Sequence, residues 1–190
     1  MSKNILFISE MTLKNVSMLS ANVDPKLLLP TVKLVQDKYI LPMLGTALYN
    51  KLQSLVEADA VAGDYKTLLD DYISDAQVWY TLSEMPFPLR YRMINKGVVT
   101  REGEAIQTVS TTDVEKLMDY CRNNAQYYAE RAIKYLHTSR ALYPEYVLPG
   151  STQDTIHPDN SQYAGGIFLG GVKSGNCDYY SKYGGGTSPQ

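Results

Sequence analysis

The 190-residue chain carries 18 basic and 20 acidic side chains, a net charge of −2, and 44% of its residues are hydrophobic. That length suits one domain with a real core, and the charge balance lacks the basic excess of a dedicated nucleic-acid binder. No apolar run approaches the roughly 18–20 residues of a membrane span. Tyrosine is the unusual count, 16 against 3 Phe and 1 Trp; its large ring and polar tip suit surfaces that become buried on association. The start, MSKNILFISEM, has no small-residue cleavage site, so no signal peptide is expected. Cys121 falls on an apolar helix face and Cys177 in a Gly-rich tail, so no structural disulfide is expected, in keeping with a reducing compartment.

In chain order, ILFIS at 5–9 reads as a short strand, followed by a polar stretch to Asn22. Asp24-Pro25 is a helix start, but Pro30 argues for a short turn there and a helix beginning near Pro30. Val32, Val35 and Tyr39 recur at helical spacing. Pro42 and Gly45 then interrupt the pattern, and Thr46 is placed as the N-cap of a second helix carrying Leu48, Leu52, Leu55 and Val56. Ile40, Leu41, Met43 and Leu44 make the connector apolar, so it should form a buried elbow around which the later helices pack.

ADAVAG at 58–63 reads as a loop, and Asp64 as the cap of a third helix with Tyr65, Leu68, Leu69, Tyr72, Ile73, Ala76, Trp79 and Tyr80 on its apolar face. Pro86 and Pro88 should break or kink it, with Leu89 to Ile94 continuing helically toward Gly97. Val98-Val99-Thr100 and Ala105-Ile106-Gln107-Thr108 flank Arg101-Glu102-Gly103-Glu104, the pattern of a β-hairpin at 98–108 with a charged tip. Thr112-x-x-Glu115 is a capping box opening the longest helix, to about Arg140. The expected architecture is mainly α: a helical bundle over residues 1–148 with a small hairpin and N-terminal strand. Residues 149–190 are expected to form an extended arm, because the last 41 residues hold nine of the 13 glycines and few aliphatic side chains.

No residue pattern announces catalysis. His137 and His157 have no metal-ligand spacing, and HExxH, CxxC, Walker A and GxSxG motifs are absent. Asp70, Asp71 and Asp75 read as a solvated acidic face, and Gly165-Gly166 with Gly170-Gly171 as flexible linker rather than a phosphate loop. No catalytic, cofactor-binding or metal-binding residue is therefore assigned, and the protein is not expected to be an enzyme. Arg90, Arg92 and Lys96 are candidate contacts to DNA or an acidic partner. Tyr120 and Tyr127 lie off the core stripe of the last helix, seven residues apart, and are candidate subunit contacts with the hairpin tip residues Arg101 and Glu102. In the arm, Tyr163, Ile167, Phe168, Leu169, Tyr179, Tyr180 and Tyr183 are candidate anchors on a neighbouring subunit.

The run Gln36-Asp37-x-Tyr39-Ile40-x-Pro42-x-Leu44-Gly45-x-x-Leu48-Tyr49 resembles one in the head-to-tail connector, or neck ring, proteins of crAss-like and related tailed bacteriophages. The resemblance extends more loosely through Tyr146. It implies a structural virion protein in the phage neck, assembled in the host cytoplasm as a homo-oligomeric ring, commonly twelvefold. Its implied partners are the portal and other neck or tail proteins, with genomic DNA passing through the lumen without sequence-specific binding and no membrane involved. Two other readings stand beside it. One is a small helical ligand-binding or enzymatic domain, which would show a deep apolar pocket with converging polar groups. The other is a DNA-binding adaptor, which would show salt-sensitive duplex binding.

Overall fold

The computed structural model describes residues 5–95, 97–100, 110–148, 150 and 155–158, all within one compact unit, Met1–Asn160. It is mainly helical. The N-terminal residues form no strand. Ile5 and Phe7 run without regular structure, and their backbone groups bond to a side chain, Gln36, instead of to a neighbouring strand. The polar stretch after them contains helix α1, Glu10–Val16, started by Ser9, whose Oγ accepts from Thr12 N–H at 3.0 Å.

Helix α2, Pro25–Val35, is capped by Asp24 and runs through Pro30 rather than starting there. Pro30 removes only the bond to the carbonyl of Lys26, and both residues are exposed, so water can take that carbonyl. A π-helical turn, Gln36–Ile40, follows, then α3, Leu41–Leu44. In the wider turn the Leu41 N–H reaches back five residues to the Gln36 carbonyl. The helical course therefore passes Pro42 and stops at Gly45, where φ is +75°. Gly45, not Thr46, is the N-cap of α4, Thr46–Glu57. Ile40, Met43 and Leu44 are buried, as an apolar elbow requires.

Helix α5, Gly63–Leu68, a second π-helical turn, Leu69–Ile73, and α6, Ser74–Glu84, form one further helical course. Ala62 is its N-cap, and Asp64 contributes its charge in the first turn without a capping bond. The prolines confine α7 to Pro86–Arg90. Strand β1, Tyr91–Ile94, occupies what the sequence reads as helix, and it pairs antiparallel with β2, Gly97–Thr100. Val98 and Val99 lie in β2, opposite Met93 and Arg92. Only two residues, 95 and 96, separate the strands, the shortest common hairpin connection. The expected tip and second strand, at 101–108, lie outside the described residues.

Helix α8, Thr111–Thr138, is capped by Ser110, two residues before the expected box: Ser110 Oγ accepts from Asp113 N–H at 3.2 Å. Asp113 Oδ2 accepts in turn from Ser110 Oγ at 2.6 Å, so the two side chains close the helix start two residues earlier than expected. Its buried residues, Cys121, Ala125, Ala129, Ala132 and Leu136, are mostly small, which lets α8 pack closely along α6. A 3₁₀ turn, Arg140–Leu142, and α9, Pro144–Val147, complete the described helices. The main core joins Leu44, Leu48 and Leu52 to Leu68, Ile73, Ala129 and Leu136. A second cluster, around Leu13, Leu28, Val78, Leu82 and Met85, attaches the N-terminal helices.

Candidate functional site

The residues that carry the sequence resemblance converge on the elbow. Gln36 is fully buried and its amide is saturated. Nε2 donates to the Ile5 carbonyl (2.9 Å) and to Tyr49 Oη (3.0 Å), while Oε1 accepts from Phe7 N–H (2.9 Å) and Gln77 Nε2 (3.2 Å). One side chain thus replaces a strand as the partner of the N-terminal backbone, which is why 5–9 needs no sheet. Gln77 Oε1 is buried without a partner among the described residues.

Next to it Tyr49 Oη donates to Asp37 Oδ1 at 2.7 Å, and Lys33 Nζ donates to the same oxygen at 2.6 Å. Burial, then the bond to Asp37, pushes the Tyr49 hydroxyl far above its ordinary range, while the Gln36 bond opposes this. Tyr49 is a fixed neutral donor, not an acid. On the far side of the π-helical turn Tyr39 stacks on Tyr80 (4.2 Å between ring centroids, 5° between planes), and its hydroxyl meets Glu84 Oε1 at 2.6 Å. Lys38 Nζ reaches the same oxygen at 2.8 Å. Burial works to raise the Glu84 carboxyl, but the bonds from Lys38 and Tyr39 outweigh it and hold the group below the ordinary range.

The α4 end of the elbow is closed by residues 110 positions away. Thr46 N–H donates to the Ile156 carbonyl at 3.0 Å, and Ile156 N–H donates to Thr46 Oγ1 at 2.8 Å. Pro158 is buried against Gly45: a Cβ built on Gly45 would lie 2.8 Å from both Cδ and Cγ of Pro158. Gly45 has no side chain with which to cap α4, and Ile156 supplies an acceptor in its place. Residues 155–158, which the sequence assigns to the arm, are therefore part of the described fold.

An open groove of about 570 Å³ lies beside the network, lined by Leu6, Leu29, Pro30, Lys33, Leu34 and Asp37. It is apolar apart from the Lys33–Asp37 pair, whose charges are spent on each other. Among the described residues no cluster of His, Cys, Asp and Glu could hold a metal ion, and no helix is long and apolar enough to cross a membrane.

Of the residues singled out from sequence, Tyr120 and Tyr127 are 57% and 66% exposed on α8. Tyr120 keeps an edge contact with Trp79. Arg90 is half-buried. Its guanidinium lies 5.8 Å from the Tyr91 ring centre, Nη1 donates to Thr111 Oγ1 at 3.3 Å, and Nε is buried with no partner among the described residues. The Arg92 side chain and Lys96, Arg101, Glu102, Tyr163, Ile167, Phe168, Leu169, Tyr179, Tyr180 and Tyr183 lie outside the described residues. Lys33 and Gln77, which sequence reading passed over, belong to the elbow network. A polar pair such as Gln36-Asp37 inside an apolar helix is the signal that points to it. Nothing local points to Ile156 or Pro158.

No curated protein and no solved structure matches the chain. A family profile does, over residues 40–156, from the last residue of the first π-helical turn to the residue that closes on Thr46. The chain belongs to that family, DUF6712, described as a family of unknown function.

Proposed function

We propose that the protein is a structural virion component, a ring-forming head-to-tail connector subunit in the neck of a tailed bacteriophage. One observation carries the reading: the resemblance of Gln36-Asp37-x-Tyr39-Ile40-x-Pro42-x-Leu44-Gly45-x-x-Leu48-Tyr49 to connector proteins falls on residues whose polar groups build the elbow. Gln36, Asp37, Tyr39 and Tyr49 bond to the protein's own groups, as expected of a part selected for shape. Exposed Tyr120 and Tyr127 offer side-chain area to a neighbouring subunit. In this reading copies close head-to-tail into a ring around the DNA path, between portal and tail.

Native mass spectrometry and electron microscopy of the purified protein, with localisation in virions, test this directly. A closed ring of a single copy number, found in the neck, is the expected result. A strictly monomeric protein that turns over a small molecule overturns it. The groove beside Lys33 and Asp37 favours ligand binding as the second reading. A saturable small-molecule ligand lost in Leu34→Asp would support that reading instead.

A further inference from the structure

We propose that α8 is a pairing surface of the free subunit: two copies lie with their α8 helices antiparallel about a two-fold axis, each Tyr120 against the other copy's Tyr127. A two-fold contact uses the same face on both copies and so cannot run on around a ring. The inference therefore stands apart from the ring reading and concerns the subunit before assembly. In the ring reading, the pair has to part before these tyrosines meet the next subunit.

Spacing defines the face. Asp113, Tyr120, Tyr127 and Lys134 follow one another at seven residues, close to two helical turns, and so fall along one line about 30 Å long on α8. Tyr120 is 57% and Tyr127 66% exposed, and the Asp113 and Lys134 side chains are 57% and 72% exposed. Their ionic partners, Lys116 and Glu130, stand on α8 itself, so no other element draws the two charges off the line. The two rings touch the protein by an edge, Tyr120 at Trp79 and Tyr127 at Tyr128, which leaves most of each ring for a partner.

The order of these residues is its own complement. Reversing the helix about a point between Asn123 and Asn124 sets Tyr120 opposite Tyr127 and Asp113 opposite Lys134, and each meeting occurs twice. Charge follows the same gradient. Exposed Asp113, Glu115 and Asp119 outnumber Lys116 at the start of α8, whereas Arg131 and Lys134 outnumber Glu130 near its end. An antiparallel copy brings unlike ends together, and a parallel copy would bring like ends together; hence the occupant is a second copy running the other way. The alignment contains one like-charged meeting, Lys116 with Arg131. It is eased because Arg131 turns to its own chain, its guanidinium 4.7 Å from the Tyr72 ring centre and Nη1 donating to the Asp71 carbonyl at 3.3 Å. One helix face falls short of a standard interface, so the pair is weak and depends on concentration.

Sedimentation equilibrium of the full chain over a range of concentrations tests this. Lys134→Glu sets like charges opposite Asp113 at two symmetric places and should raise the dimer dissociation constant about tenfold. Adding Asp113→Lys to the same chain restores the attraction in reverse and should bring the constant back, with circular dichroism confirming the helices. Should the Asp113 change disturb the start of α8, orientation is read by disulfides in a Cys177→Ser background. Oxidising Tyr120→Cys mixed with Tyr127→Cys should join the two variants, while either alone gives no α8–α8 link, because like positions sit about 10 Å apart along the axis. A protein that stays monomeric, a dimer indifferent to Lys134→Glu, or a link formed as well by either cysteine variant alone overturns the pairing. Rings that assemble with no antiparallel dimer detectable in the free protein overturn it too and leave the ring reading standing.

Discussion

Tyr39 meets Glu84 across 45 positions of sequence, its hydroxyl donating to Glu84 Oε1 at 2.6 Å while its ring lies flat on Tyr80. The contact joins the first π-helical turn to the end of α6, and Lys38 adds a charge to the same oxygen. Because the carboxylate form is the one being bonded, this junction is sensitive to acid.

The sign follows from linkage. Glu84 has a folded pKa below the ordinary 4.5, so its contribution is fully present above that value and is lost as pH falls through the lowered one. Lys38 is raised above 10.5, chiefly by the Glu84 bond, so its share is present below that value and fades as pH climbs through the raised one. Lys38 is half exposed, so the ion pair itself should be worth under about 1 kcal/mol. Urea midpoints of wild type and Glu84→Gln should differ near neutrality and converge only as pH falls through the lowered Glu84 value and the carboxylate is protonated. A gap that stays constant over this range would mean that the junction does not depend on the carboxylate.

Gln36→Met keeps the volume and removes four hydrogen bonds. Phe7 N–H, Gln77 Nε2 and Tyr49 Oη each lose a partner at a buried position and the Ile5 carbonyl loses one at a partly buried position, so a loss of at least about 3 kcal/mol is expected. Limited proteolysis should then cut before Ser9 faster than in wild type. A loss below about 1 kcal/mol in chemical denaturation would show that water replaces the amide readily.

Gly45→Ala should destabilise by about 1–3 kcal/mol, because φ +75° with ψ 159° belongs to a region used essentially by glycine alone. The new methyl group also meets the Pro158 ring. Pro158→Ala removes that ring, so the double variant should be less unstable than the sum of the two single ones by about 0.5 kcal/mol or more. Strict additivity would mean that the two residues do not touch in solution.

Leu52 is fully buried at the centre of the main core, and Leu52→Ala is expected to cost about 2–5 kcal/mol. Trp79 is half-buried, with one edge toward Tyr120, so Trp79→Ala should fall near the lower end of the same range. Thermal or urea unfolding of the two variants measures the order, and the reverse order would place Trp79 deeper than its exposure indicates.

The helical faces were legible because burial follows the three- and four-residue recurrence of Leu48 and Leu52, of Leu69, Ile73 and Ala76, and of Cys121, Ala125, Ala132 and Leu136. The cap positions were misplaced where a short polar residue stood near an equally good alternative, Ser110 against Thr112, or where the cap has no side chain, as at Gly45. Neither π-helical turn has a sequence signature. Each inserts one residue and rotates the face that follows by about 100°, so a single period cannot run through the whole course. The strand at 5–9 was misread because alternation cannot distinguish a strand partner from a lone buried amide such as Gln36. The strand Tyr91–Ile94 was missed because it follows directly on the short helix that ends at Arg90. The closing contact of Ile156 on Thr46 depends on proximity in space alone.

That contact also sets an order of events. A chain made from its N-terminus completes α4 long before residue 156 exists, so the helix must wait 110 positions for the carbonyl that finishes it. Until then the elbow of the nascent protein is a joint with one side unfastened, held by Leu44, Leu48 and the Gln36 amide but free at Gly45. Closing so long a loop adds little entropic cost beyond that of a shorter one, since the penalty grows only with the logarithm of length. Translation itself therefore orders the fastening: the Ile156 carbonyl can reach Thr46 only after 110 further positions have been added, and a ribosome that stalls before residue 156 leaves the first amide of α4 to water.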